Sequence, residues 1–247
     1  EYARGAFTGK SIKNGGSLGR EEATGLGGVY VLEELAKKVG LKPAQTTVAL
    51  QGAGNVAKYS ALEAARRGYK VVAVSDSKTG IYNPDGLDVV KVFKFKDQGK
   101  SFKDYKAANN YRLITNDKLL KLPVDVLIPA AKEDVITAHN ASQIKAKYII
   151  EMANGPITPD ADLILTKRKI TVLPDVLANS GGVTVSYYEW FQNMKNQKWT
   201  TKETVFKKLK TQITKAFDDV WAIHTKNKVT PRLAAYILAV QRVTKAK

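Results

Sequence analysis

The stretch Gln51-Gly52-Ala53-Gly54-Asn55-Val56-Ala57, with Asp76 standing 24 residues after Gly52, brings together residue types that can hold a pyrophosphate and a ribose. Gly52 lets the chain turn sharply out of a strand. Gly54 leaves no side chain between backbone and ligand, and Ala57 keeps the third position small enough for the next helix to lie close to a sheet. The unpaired N–H groups at that helix's start, and its dipole, favour an anion. Asp76 falls where a carboxylate accepts from a ribose 2′-OH. The chemistry implied is dinucleotide binding. The rival is a structural tight turn in some other α/β protein, and the flanking elements decide between them.

Those elements have the required order. Residues 46–51 are an apolar, β-branched run, residues 55–67 read as a helix, and residues 70–74 read as a second strand ending at Ser75-Asp76. Upstream, residues 20–39 keep apolar positions at a helical period, with Gly40 as the stop and Pro43 just beyond. Residues 77–110 carry turn signals, then a helix and a polar loop over 87–100. Buried strands are predicted within 124–131, 148–151 and 170–173, with helical pieces over 138–144 and 159–167 between them. From Gly182 the pattern is helical: residues 183–195, then a long helix from the capping-box sequence Thr200-Thr201-Lys202-Glu203, with Thr200 as N-cap, to about Lys226, then a last helix from Pro231. Strands alternating with helices predict an α/β fold: a doubly wound, Rossmann-type, mainly parallel sheet flanked by helices, with C-terminal helices over 182–247.

Composition narrows the function classes. The 247 residues include no cysteine, which removes disulfides, thiol nucleophiles and Cys-based metal sites. No apolar run approaches the ~18 residues that span a bilayer, and no signal peptide is visible at the polar start, so a cytoplasmic protein with no membrane partner is expected. Forty Lys and Arg against 23 Asp and Glu leave a net charge of +17. The lysines are spread along the chain and interleave with apolar residues at helical spacing, as in Phe206-Lys207-Lys208-Leu209. A solvated basic surface explains them better than a nucleic-acid stripe. His139 and His224 have no second ligand at metal spacing, and the adjacent pairs Glu21-Glu22 and Asp218-Asp219 cannot face one site. Ligands of an open parallel sheet bind outside the strands' carboxyl ends. Those ends carry Pro129-Ala130-Ala131, Asn154 and Asp175, with Asn179 just beyond. Asn154 and Asn179 have the chemistry to bond a carboxamide or ribose, or simply to cap turns.

The chain resembles the cofactor-binding half of glutamate dehydrogenase, within the wider amino-acid dehydrogenases. The resemblance rests on Gly15-Gly16-Ser17-Leu18-Gly19-Arg20-Glu21-Glu22-Ala23-Thr24-Gly25, Gln51-Gly52-Ala53-Gly54-Asn55-Val56, Val74-Ser75-Asp76-Ser77, Gly80-Ile81-Tyr82-Asn83-Pro84-Asp85-Gly86, Ile128-Pro129-Ala130-Ala131, Ala153-Asn154-Gly155-Pro156 and Pro174-Asp175-Val176-Leu177-Ala178-Asn179-Ser180-Gly181-Gly182 running on to Ser186. It implies reversible oxidative deamination of L-glutamate to 2-oxoglutarate and ammonia, with hydride passed to a nicotinamide. It places Arg20, Thr24, Asn55 and Val56 against the cofactor, and Gly52, Gly54, Asp76 and Ser77 at the pyrophosphate and adenine ribose. Ala130, Ala131, Asn154 and Asn179 fall on the nicotinamide side, and Ser186 reaches the substrate carboxylate. No catalytic residue and no metal is expected in this chain.

Four departures from the family pattern stand out: Ala53 for a bulky aromatic, Ala57 for a frequent Gly, Met152 for Gly and Ser180 for Ala. Met152 is expected to crowd the groove. The family's N-terminal substrate domain supplies the substrate lysines, a catalytic aspartate and most of the oligomer contacts. Residues 1–19 read as the connecting segment from such a domain and residues 20–247 as the dinucleotide-binding domain. The expectation is therefore a truncated or engineered piece that binds cofactor and turns over little glutamate alone, monomeric where full-length members are homo-oligomers. The rival readings are a non-catalytic dinucleotide-binding module and, further off, a basic nucleic-acid-binding protein. Asp76 favours NAD, because a carboxylate repels the 2′-phosphate of NADP; Lys78 nearby offsets this and keeps NADP as the alternative.

Overall fold

The computed structural model describes residues 5–106, 110–197 and 201–245. In chain order, α1 (Ala23–Val39) leads into β1 (Thr47–Gln51), α2 (Asn55–Arg66), β2 (Lys70–Ser75), β3 (Gly80–Tyr82) and α3 (Val89–Lys96). Then come β4 (Arg112–Ile114), α4 (Asn116–Leu120), β5 (Val126–Pro129), α5 (Ala138–Ala141), β6 (Tyr148–Ile150), α6 (Pro159–Lys167) and β7 (Thr171–Leu173). The chain closes with α7 (Asp175–Ala178), α8 (Gly181–Met194), α9 (Lys202–Asn227) and α10 (Pro231–Lys245). One sheet runs in the order β4-β3-β2-β1-β5-β6-β7. β1, β2, β5, β6 and β7 are parallel, while β3 and β4 form an antiparallel edge.

The apolar runs are continuous because both faces of the parallel part are covered. Val48, Leu50, Val126, Ile128, Ile150 and Leu173 pack with α1, α2, α8 and α9 on one face. Their neighbours Ala49, Leu127, Ile149 and Val172 point the other way, against Leu119 and Leu120 of α4, Ala141 of α5 and Leu165 of α6. This is the doubly wound sheet expected from the alternation of elements. α1 is the buried hub of the first face: Val29, Val31, Leu32 and Leu35 are fully enclosed between the sheet and neighbouring helices. A Cβ on Gly181, the first residue of α8, would lie 2.2 Å from the Ala23 carbonyl oxygen. Only glycine lets α8 approach α1 that closely.

The structure corrects several boundaries. The first helix begins at Ala23, not near Arg20, because Ser17 to Glu22 turn on themselves before it. Gly40 caps it in the left-handed conformation, as its position predicted. The antiparallel strand β3 falls inside the segment read as turns and loop, and β4 lies just beyond it, where no element was expected. α8 begins at Gly181 rather than 183. Thr200 lies outside the described residues; Thr201 caps α9, accepting from the Thr204 N–H at 3.2 Å.

The segment before α1 is fastened to α8 through one carboxylate. Glu189 is fully buried, and its oxygens accept from the Gly9 N–H at 3.0 Å, the Lys10 N–H at 3.2 Å and Lys10 Nζ at 2.6 Å. Burial opposes the Glu189 charge, but the Lys10 ammonium and these amides hold the carboxyl below its usual range. Lys10→Met strands a buried carboxylate and is expected to destabilise the chain by about 3 kcal/mol in urea unfolding. Adding Glu189→Gln should recover most of that loss; a Lys10→Met variant as stable as the parent would show that the clamp contributes nothing.

Candidate dinucleotide site

β1 and β5 lie side by side, and the chain leaves them in opposite directions. After β1 it enters α2 on the first face; after β5 it passes to α5 on the second. Such a reversal opens a crevice at the carboxyl edge of the sheet. Gly52 leaves β1 at φ 132°, and a Cβ there would stand 2.9 Å from the Ala130 carbonyl oxygen. Both its conformation and its contact with β5 require glycine. Gly54 is the N-cap of α2 and offers no capping side chain, so the first amides of that helix are uncapped. A Cβ on Gly54 would meet nothing within 4 Å, which leaves room for an anion to approach those amides. Ala57 is fully buried beneath them and lets α2 sit on the sheet. These residues fit a pyrophosphate.

The crevice is a cleft of about 470 Å³. It gathers seven of the residues singled out in the sequence: Arg20, Thr24, Val56, Ala130, Ala131, Asn154 and Asn179. Asn179 Nδ2 donates to Asn154 Oδ1 at 2.7 Å, which leaves one amide NH2 and one amide oxygen of the pair for a ligand. Such a pair complements a carboxamide. Ser186 joins the site through Arg20, whose Nε donates to Ser186 Oγ at 2.8 Å. Gly52, Gly54, Asn55, Asp76 and Ser77 lie outside the cleft lining. Met152 lines it too, as the sequence led us to expect, while Lys132, Glu133, Ala153, Gly182 and Val183 were not named as site residues. Lys132 and Glu133 directly follow the strand-end sequence Pro129-Ala130-Ala131, and that continuity was the signal available to find them.

Asp76 is employed differently from what its spacing suggests. Its Oδ1 accepts from the N–H groups of Lys78 at 2.9 Å and Thr79 at 3.0 Å. Its Oδ2 accepts from Lys96 Nζ at 2.9 Å, Ser101 Oγ at 3.2 Å and the Phe102 N–H at 2.8 Å. A carboxylate offers about four lone-pair sites, so five donors saturate it. Asp76 pins the loop after α3 beneath the end of β2. Burial alone would push its carboxyl up, but the Phe102 amide, the Lys96 ammonium and the Thr79 and Lys78 amides hold it well below the usual carboxylate range.

Met152 lines the groove but projects little into it. It is 3% exposed, and its thioether lies in the space above Gly28 of α1. A Cβ on Gly28 would fall 2.0 Å from Met152 Sδ. Glycine in the middle of α1 and methionine at the end of β6 are thus a complementary pair. Among the described residues, no cluster of three or more His, Asp or Glu could hold a metal ion, and no helix is long and apolar enough to cross a membrane.

The fold and the cleft define an α/β nucleotide-binding fold of the oxidoreductase type. The profile of the Glutamate/Leucine/Phenylalanine/Valine dehydrogenase family matches residues 15–247, and the chain belongs to that family. It is 49% identical over 98% of its length to a glutamate dehydrogenase of Thermotoga maritima. It is 45% identical over 99% of its length to the NADP-specific glutamate dehydrogenase A1 of Halobacterium salinarum. The chain spans 58% of the length of each. Among solved structures it is similar to the hetero-hexameric glutamate dehydrogenase of Thermus thermophilus in its Leu-bound form, with TM-score 0.88 and 34% identity over 97% of this chain and 56% of that one. It also matches the glutamate dehydrogenase of Peptoniphilus asaccharolyticus, with TM-score 0.83 and 37% identity over 98% of this chain and 56% of that one.

Two outcomes follow from Asp76 and Met152. A carboxyl depressed in the folded state contributes stability above its unfolded pKa of about 3.9 and loses it as pH falls further. Asp76→Asn is expected to cost about 2 kcal/mol near neutrality, with the gap to the parent narrowing below pH ~4. A gap that stays constant from pH 7 to pH 3 would contradict the assignment. Gly28→Ala gains about 1 kcal/mol of helix propensity but overpacks against Met152 at a cost of about 1–3 kcal/mol. It should therefore destabilise the parent and stabilise a Met152→Ala background; the same sign in both, read by thermal unfolding, would disprove the pairing.

Proposed function

We propose that this chain is the NAD(P)-binding part of a glutamate dehydrogenase, the enzyme that converts L-glutamate to 2-oxoglutarate and ammonia. The carrying observation is the single cleft at the reversal between β1 and β5, which joins the uncapped start of α2 to the Asn154–Asn179 amide pair. The amides at Gly54, Asn55 and Val56 would hold the pyrophosphate, with Gly52 allowing the approach. Ala130 and Ala131 would form a flat wall, Thr24 would lie at its edge, and Asn154 and Asn179 would bond the carboxamide. The bound nicotinamide would supply the two-electron acceptor. Arg20 and Ser186 touch each other at the cleft's mouth, and their remaining donors suit a substrate carboxylate.

Residues 1–19 would connect this domain to a substrate domain. A stripe on α8 supports that reading: Val183, which lines the cleft, continues through Tyr187, Trp190 and Met194, all at least 40% exposed at helical spacing. On this reading the chain alone binds cofactor and turns glutamate over far more slowly than the ~10 per second of an ordinary enzyme.

The cofactor preference does not rest on Asp76, which is saturated by its own loop. Ser77 and Lys78 are exposed beside it and would meet a ribose 2′-OH or 2′-phosphate. Asp76 was the basis for favouring NAD; with it engaged, NADP binding through Lys78 becomes equally well supported. Calorimetric titrations of NAD and NADP are expected to show one saturable site. Lys78→Glu should weaken NADP by about tenfold or more while changing NAD by less than about twofold. Absence of saturable binding by either cofactor would refute the function, and equal effects on both would remove Lys78 from the preference.

A further inference from the structure

Helix α10 reaches the nicotinamide side of the cleft through a chain of polar contacts centred on the buried Glu151. Arg232, the second residue of α10, donates from Nη2 to Glu151 Oε1 at 2.7 Å and grips Asp162 of α6 at 3.2 and 3.3 Å. Glu151 directly follows β6 and is fully buried. Its other oxygen, Oε2, accepts from the Asp175 N–H at 2.8 Å. Asp175 is the first residue of α7, and its Oδ2 accepts from the Gly155 N–H at 2.8 Å. Gly155 follows Asn154, and Asn154 is bonded to Asn179, which ends α7. The path from Arg232 therefore runs through Glu151 to both amides of the pair: along the 151–155 loop to Asn154, and along α7 to Asn179.

An isolated buried ion pair contributes little net stability against well-packed apolar residues. The two Glu151 oxygens, however, do different work. One takes the charge of α10; the other satisfies an orphan amide at the start of α7. With only four residues, α7 turns as a unit, and the orientation of its first amide fixes that of its last residue. The Gly155 backbone is held at the same time by Asp175, so the loop and the helix move together.

We infer that Arg232 and Glu151 are positioning residues for the Asn154–Asn179 amide pair, so that the seating of α10 on the sheet sets affinity for the nicotinamide half of the dinucleotide. The inference rests on the dinucleotide reading above, and its test separates the two. NADH and ADP-ribose share the adenosine and pyrophosphate half; only NADH carries the carboxamide. Both are titrated into this chain and into Arg232→Met, Arg232→Lys and Asp175→Ala, with thermal unfolding recorded for each. Arg232→Met and Asp175→Ala are expected to weaken NADH about fivefold to tenfold, as the loss of one or two neutral hydrogen bonds would. They should leave ADP-ribose within about twofold. The fluorescence of bound NADH should shift with them, and Arg232→Lys should restore part of the affinity. Should Arg232→Met fail to fold, Arg232→Gln, which removes the charge but keeps a donor for Glu151, is titrated in its place. Equal losses for both ligands, or no loss for either in folded variants, would overturn the inference. Absence of binding by either ligand in the parent chain would overturn the dinucleotide reading itself, and this inference with it.

Discussion

The contact between the Gly52 backbone and the Ala130 carbonyl, where β1 and β5 part, governs the rest of the molecule. Two parallel neighbours can leave their sheet on opposite faces only if neither exit blocks the other. At that point one side chain too many would wedge β1 from β5 and close the crevice. The glycine turn keeps the strands in register up to Gln51 and Pro129 and then lets α2 start beside the cleft with its amides open. The helices on each face, and hence both halves of the core, follow from that parting.

Three buried carboxylates then hold loops that no apolar contact could hold. Asp76 gathers the loop after α3, Glu189 fastens the segment before α1, and Glu151 joins α10 to α7. In each case removal from water would cost several kcal/mol unless the charge were met by donors. Each is met by at least one backbone amide and a cationic side chain. The charge thus specifies one loop conformation more than it adds net stability. Surface ion pairs play no such part: Lys121 with Asp117 and Lys215 with Asp219 lie at the protein surface, where such pairs are worth about 0–1 kcal/mol.

The cleft combines small walls with a few polar side chains, Lys132 and Glu133 among them. Ala130 and Ala131 wall it, and the rest of its polar character comes from helix amides, two asparagines and the Arg20–Ser186 pair. That distribution suits a flat ligand recognised along its length. The exposed apolar stripe from Val183 to Met194 starts at the same opening, since Val183 also lines the cleft.

Local chemistry alone determined the parallel strands, the glycine turn, the Gly40 stop and the strand-end residues Ala130, Ala131 and Asn154, because each is written within a few neighbouring residues; Arg20 and Thr24 came from the family resemblance. Hydrophobic runs, capping and turn signals act over one or two turns of chain. β3 and β4 were illegible for the complementary reason: each is three residues long, too short to show a period, and the edge strand β4 carries the exposed Arg112 and Leu113. The roles of Asp76, Met152 and Glu151 were decided by the tertiary structure. The Asp76 carboxylate is bonded to residues up to 26 positions away, and Glu151 to a cation 81 positions away. Met152 fills a gap left by a glycine in the first helix. A carboxylate spaced for a ribose is indistinguishable in sequence from one spaced for a loop, since both need the same oxygen at the same strand end; only folding shows which donors arrive first.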